Sequence, residues 1–276
     1  MKNFDNYLFR CSSLGRIMTG VKIGLTENQE ETYNAYNLRF KGEGRPLTAN
    51  QIEVFHDLGA KKNAKPTLSQ TTKTYLQEIH KEEIFGRRNE IRSKYLDKGI
   101  QVEEQSLSLY TEVTGELFLK NKERFNNEFI TGEPDNKQGK IRDIKSSWSF
   151  ETFPLYDTEI TNKDYQWQLM GYMELTGLKE SELVYCLIDT PEMLIEDEKR
   201  RMSWKLGMIE LPEELGEEIE RNLTYSDIPQ EMRVKVFSLE FSQKAIDALY
   251  SQIAVCREYM NELTIKLSNN PLIKAA

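Results

Sequence analysis

The sequence predicts a protein of the α/β (α+β) class, with a sheet core flanked by helices. Three observations carry the prediction. Residues 183–188 (Leu-Val-Tyr-Cys-Leu-Ile) form a continuous apolar run closed by Asp189 and Pro191, the mark of a strand buried on both faces. Residues 242–267 place Ile246, Leu249, Ile253, Met260, Leu263 and Leu267 on one stripe, as a long amphipathic helix does. Between Thr71 and Leu267 the patterns run helix, strand, strand, helix, strand, helix, the order of a layered sheet-and-helix fold.

Taken in order, the residues through Leu25 mix apolar and small side chains. Residues 26–66 are polar and punctuated by Gly42, Gly44, Pro46 and Gly59, which predicts short elements and loops. From Thr71 the spacing of Tyr75, Ile79 and Ile84 is helical. A second helix is expected over 89–114, with Ile91, Tyr95, Val102 and Leu109 near one side. Strands are expected over 124–131, carrying Phe125, Phe129 and Ile130 and ending at Gly132, and over 140–147. The polar turn at 136–139 makes the two strands a hairpin. Residues 165–175 read as helix, and Pro212 opens another over 212–223 at a first-turn position. The final stripe fits either packing on the chain's own core or a seam between copies.

A length of 276 residues suits one domain. Within it, 26–88 reads as a polar and helical insertion, 89–190 as the core and 191–276 as a C-terminal helical extension. Hydrophobic residues are 38% and charged residues 30%, which excludes a disordered chain. No apolar run reaches membrane-span length, and the N-terminus lacks a signal-peptide layout, so a cytoplasmic location is expected. Cys11, Cys186 and Cys256 form no CxxC pair, which speaks against a zinc ribbon, an iron–sulfur site and a disulfide framework. With only His56 and His80 present, any metal chemistry falls to carboxylates. The 45 acidic and 37 basic residues give a net charge of −8. That excludes a uniformly basic nucleic-acid binder but permits a basic groove in an acidic exterior.

The chemistry concentrates in Pro134-Asp135, seven residues, then Asp143-Ile144-Lys145. Side chains alternate along a strand, so Asp143 and Lys145 share one face while Ile144 enters the core. A hairpin would bring Asp135 to the same face. Two carboxylates suit a hard divalent ion such as Mg²⁺, which also takes phosphate oxygens, and the Ile144 carbonyl offers another ligand. A lysine adds a point charge for the attacking water or the transition state. The set fits phosphodiester hydrolysis. Gln168 and Tyr172 lie four apart and share a helix face, where Gln168 would meet a phosphate or a water. A half-buried amphipathic helix fits them too, as a solvated face fits Glu103 and Glu104.

In order, Gly99…Glu103, Gly132-Glu133-Pro134-Asp135, Asp143-Ile144-Lys145 and the Gln168–Gly177 segment resemble the lambda-exonuclease and RecB-type branch of the PD-(D/E)XK nucleases. The phage alkaline exonucleases, or viral recombinase nucleases, are the nearest kind. The resemblance covers roughly the stretch from Gly99 to Gly177. It implies a restriction-endonuclease-like core, a central mixed sheet flanked by helices, and Mg²⁺ or Mn²⁺ as cofactor. It implies Asp135 and Asp143 as metal ligands, Lys145 as catalytic lysine, Glu103 as a helix-borne acid at the metal, Gln168 as the polar residue of a QxxxY motif and Tyr172, which closes that motif, as a DNA contact. Arg10, Ser12 and Ser13 resemble a phosphate-contacting N-terminal segment, although a helix cap has the same composition. The basic residues Lys61, Lys62, Lys65, Arg87, Arg88 and Arg92 fit a DNA path or a solvated surface. The implied activity is digestion of one strand of double-stranded DNA from an end, in phage or mobile-element recombination. A single-strand annealing protein is the implied partner, and a homo-oligomer such as a trimer the implied assembly. A restriction- or repair-type endonuclease and a catalytically inactive DNA-binding protein are the alternatives.

Overall fold

The computed structural model describes residues 2–21, 24–64, 66–88 and 93–271. Lys65 and Arg92 of the basic stretch, and the first residues of the helix expected over 89–114, lie outside them. In chain order the elements are β1 (Phe9–Arg10), α1 (Leu14–Met18), α2 (Glu27–Phe40), α3 (Ala49–Asn63), α4 (Gln70–Phe85), α5 (Lys94–Gln101) and α6 (Glu103–Thr114). There follow β2 (Phe125–Asn126), β3 (Ile130–Gly132), β4 (Ile141–Ser146), α7 (Lys163–Thr176) and β5 (Glu180–Cys186). The chain ends in α8 (Glu192–Leu206), α9 (Glu213–Arg221), β6 (Val234–Glu240) and α10 (Gln243–Ser268). The α/β class holds: two three-stranded sheets are flanked by helices.

The contacts divide the chain into two units. The first comprises Met1–Phe9, Arg16–Arg87 and Ser242–Ala276, the second Arg10–Gly15 and Arg88–Phe241. In the first, α10 buries Ile246, Leu249, Ile253 and Met260, and α4 buries Leu76 and Ile79. The two helices pack together, joined by a buried His80–Thr264 hydrogen bond of 3.0 Å. The C-terminal stripe therefore serves the chain's own core. The polar stretch expected to hold short elements and loops instead carries two long helices, α2 and α3, joined by the loop at 41–48, each opened by a threonine capping box, Thr26 with Gln29 and Thr48 with Gln51. Their pairing rests on the Tyr33 and Phe55 rings, stacked at 5.1 Å.

In the second unit, β5 lies between β4, parallel, and β6, antiparallel. The pleat sends Ile144, Val184 and Cys186 into a cluster with Val102, Leu109 and Tyr110, under α6. Asp143, Lys145 and Tyr185 face the other way, toward α7. Burial on both faces explains the apolar run from Leu183, whose first four residues form the second half of β5.

Four expectations are corrected here. The helix expected over 89–114 is two helices, broken at Val102 (φ −107°, ψ 12°). The strand expected over 124–131 is two short strands, because the Asn127 carboxamide accepts from the Phe129 and Ile130 amides and turns the chain. Those strands and β4 are not a hairpin. β3 sits between β1 and β2, while β4 pairs with β5. Pro212 caps α9 rather than entering it.

Candidate active site

Asp135 reaches β4 through an isolated bridge instead of a ladder. Asn136 and Arg142 exchange backbone hydrogen bonds of 2.9 and 3.2 Å. The buried Arg142 guanidinium then fastens the turn, donating to Asn136 Oδ1 (3.1 Å) and the Gln138 carbonyl (2.8 Å), and meets Glu182 of β5 at 3.1 Å. With the turn fixed, Asp135 Oδ2 accepts the Ile144 amide at 2.7 Å. The lost amide of a central β4 residue is what holds this carboxylate against the edge of the sheet.

Asp143 is 2% exposed. Its Oδ1 accepts from Gln168 Nε2 at 3.0 Å, and its Oδ2 pairs with Lys145 Nζ at 2.6 Å. Gln168 Nε2 also donates to the Tyr172 hydroxyl at 3.0 Å. Tyr172 is buried behind Gln168, against Gly132, where an added Cβ would lie 2.6 Å from the tyrosine ring. Lys145 Nζ stands 5.0 Å from the Tyr165 ring centroid, within cation–π range.

The electrostatics follow from two carboxylates sharing one ammonium. Burial raises the Asp135 carboxyl above its ordinary value, and the Asp143 charge adds to the rise, against the pull of Lys145 and the Ile144 amide. Burial lowers the Lys145 ammonium, but Asp143 and Asp135 outweigh it and hold the lysine above the usual range. The site thus carries an excess of negative charge in poorly solvated surroundings, and all its free donors are oxygens. That donor set fits a hard divalent cation.

Of the residues singled out in the sequence, Asp135, Asp143, Ile144, Lys145, Gln168 and Tyr172 come together. Glu103, at the start of α6, lines a cleft of about 390 Å³ with Asp135 and Ile144. It is ion-paired with Lys120 at 2.8 Å, and among the described residues no three acids gather around one point. Arg10 and Ser12 are exposed and Ser13 half-buried, in a 3₁₀ turn packed on α7. Lys120 and Tyr165 were not singled out. Tyr165 precedes Gln168 by three on the same helix face, a signal that spacing alone offers. Lys120 has none, since its position depends on a loop.

No protein-family model matches the sequence, and no curated protein does. Solved structures do. A phage-related exonuclease from Haemophilus somnus 129PT superposes with a TM-score of 0.65 at 23% identity, over 95% of this chain and 97% of that one. An alkaline exonuclease from Laribacter hongkongensis, LHK-Exo, superposes with a TM-score of 0.55 at 12% identity, over 99% and 96%. The same enzyme in complex with dAMP gives 0.57 at 12% identity, over 98% and 95%. The chain therefore shares the fold of these exonucleases over nearly all of its length.

Proposed function

We propose that the chain is a divalent-metal-dependent deoxyribonuclease that hydrolyses double-stranded DNA from an end, with Mg²⁺ or Mn²⁺ as its ion. One observation carries the reading: Asp135 of the preceding turn and Asp143 and Lys145 of β4 converge at the edge of that strand. Asp135, Asp143 and the Ile144 carbonyl would hold the ion. When bound, the ion supplies Lewis acidity toward a phosphoryl oxygen and a more acidic water. Gln168 holds Asp143 in place through its Oδ1, and Tyr172 keeps Gln168 in place. Lys145 offers a charge-assisted donor to the attacking water or to the charge that grows on the phosphate. Arg10, Ser12 and Ser13 supply donors for a phosphate of the same strand.

That the fold neighbours are exonucleases supports action from ends over cutting within the strand. The motif resemblance to the lambda-exonuclease branch extends the reading to phage or mobile-element recombination, a single-strand annealing protein as partner and a trimer as assembly, which light scattering checks. The deciding experiment digests linear and closed circular duplex DNA with Mg²⁺ beside Asp143→Asn. Loss of the linear form alone, absent in the variant, is expected. Cutting of the circle would replace the exonuclease with an endonuclease, and no cutting of either by the native chain would leave a DNA-binding protein.

A further inference from the structure

Beside Asp135 runs a strap, residues 117–122, bound to the catalytic turn by four hydrogen bonds. The Asn121 amide donates to the carbonyl of Asp135 itself at 2.7 Å, and its carboxamide to that of Pro134 at 3.0 Å. The Leu119 amide donates to Gln138 Oε1 at 3.0 Å, and Asn136 Nδ2 to the Leu119 carbonyl at 2.8 Å. Phe118 anchors the strap from below, 5% exposed and stacked on Tyr110 at 4.7 Å. Lys120 is therefore fixed within one residue of a contact to Asp135.

Two hollows meet at this strap. Lys120 and Lys122 line the cleft that holds Asp135, Glu103 and Ile144. Both also line an open groove of about 650 Å³ that continues past Leu119 to Lys137. Lys120, Lys122 and Lys137 thus follow a path leading away from Asp135, Lys120 paired with Glu103 and Lys137 with Glu123, which also lines the groove. Lysines that give up an acidic partner there supply the positive charge a phosphodiester backbone needs beside the bond to be cut. Glu103 holds the Lys120 ammonium at 2.8 Å, with both side chains partly exposed. Asp135 and Glu104 add to the negative field around it.

We propose that the strap is a contact for the substrate strand: Lys120 exchanges Glu103 for a backbone phosphate next to the one cleaved, and Lys122 takes the phosphate beyond. The proposal rests on the nuclease reading. The exchange conserves charge, since the ammonium passes from one anion to another. It also leaves the Glu103 carboxylate open to the cleft only when the strand is in place.

The two halves of the ion pair then act in opposite directions on DNA affinity, which a purely structural pair does not do. The test is fluorescence anisotropy of a labelled linear duplex with the full chain in Ca²⁺, over a salt series. Lys120→Gln is expected to weaken binding about 10-fold and to reduce the slope of log K against log salt by about 1. Lys120→Arg keeps both near the native values. Glu103→Gln, which frees the lysine, tightens binding, and most of that gain disappears in the Lys120→Gln background. Lys205→Gln on α8 is the control for a surface charge away from the strap. Native affinity and slope in Lys120→Gln, with cleavage by the native chain intact, overturn the inference and leave the nuclease reading standing. A native chain that neither binds nor cuts duplex overturns both.

Discussion

Asp143 is where the site's contacts meet, so it is the residue to remove first. Asp143→Asn keeps the shape and an oxygen for Gln168 Nε2 but removes the charge that pairs with Lys145. Cleavage with Mg²⁺ is expected to fall by at least about 10²-fold, while duplex binding in Ca²⁺ persists. Native-like turnover would sink the assignment. Lys145→Ala should lower kcat more than it raises KM, as a group acting in the transition state does. A different lysine lends itself to a pH test. Lys98 of α5 is fully buried and donates to the Trp148 carbonyl at 2.8 Å. Burial lowers its pKa from 10.5 to about 8, against the opposing charge of Asp189. The unfolded chain therefore holds this proton more tightly than the folded one, and stability rises with pH between about 8 and 10.5. Urea unfolding should show a gain of about 3 kcal/mol from this group across that window. Lys98→Met removes the gain, and an unchanged pH profile in the variant would refute it. The sequence reveals Asp135, Asp143, Lys145 and Gln168 because their chemistry lies in residue type and spacing. Lys98, Lys120 and Tyr165 are ordinary residues that matter through where the fold puts them.

Among the elements, β3 and α7 approach each other closely enough to exclude a methyl group. A Cβ on Gly132 would lie 2.6 Å from the Tyr172 ring and 2.7 Å from Cys11 Sγ. One on Gly171 would lie 2.8 Å from Leu14 Cδ1 and 2.9 Å from Cys11 Sγ. Both glycines serve for space, neither having a positive φ. Gly132→Ala should cost about 1–3 kcal/mol in unfolding free energy. It should also lower turnover, because the tyrosine it displaces holds Gln168, which holds Asp143. Gly171→Ala should destabilise by a similar amount, and two variants as stable as the native chain would contradict the packing argument. α10 and β5 were legible because each buries enough side chains to imprint its period. α2 buries none, and α3 only Phe55 and Leu58, so their pattern vanished into polarity although both capping boxes were present. β6 alternates too weakly to announce itself: of its seven residues only Phe237 is buried. The supposed hairpin failed because spacing reports that Asp135 returns to β4, not which strand β4 pairs with.

For the whole molecule, the balance of charge ties folding to the ion. The site concentrates two carboxylates against one lysine inside a chain that is already acidic by eight charges. A cation bound there relieves repulsion that the unfolded chain, with its carboxylates in water, does not feel. Binding to the folded state alone stabilises it, by about 1.4 kcal/mol when the free ion is about ten times its dissociation constant. In a chain of this size that raises the unfolding midpoint by a few degrees. Thermal melts in Mg²⁺ or Mn²⁺ should therefore exceed those in a chelator, and adding the chelator should reverse the gain. Asp143→Asn should melt at one temperature in both conditions, while Lys98→Met, whose ammonium bonds Trp148 and not the two carboxylates, should keep the shift. Where the melt resolves two transitions, only that of the unit containing Arg88–Phe241 should move, because Asp135, Asp143 and Ile144 all belong to it. A native chain indifferent to both ions, or an equal shift in Asp143→Asn, would show that the carboxylates do not form the ion's site.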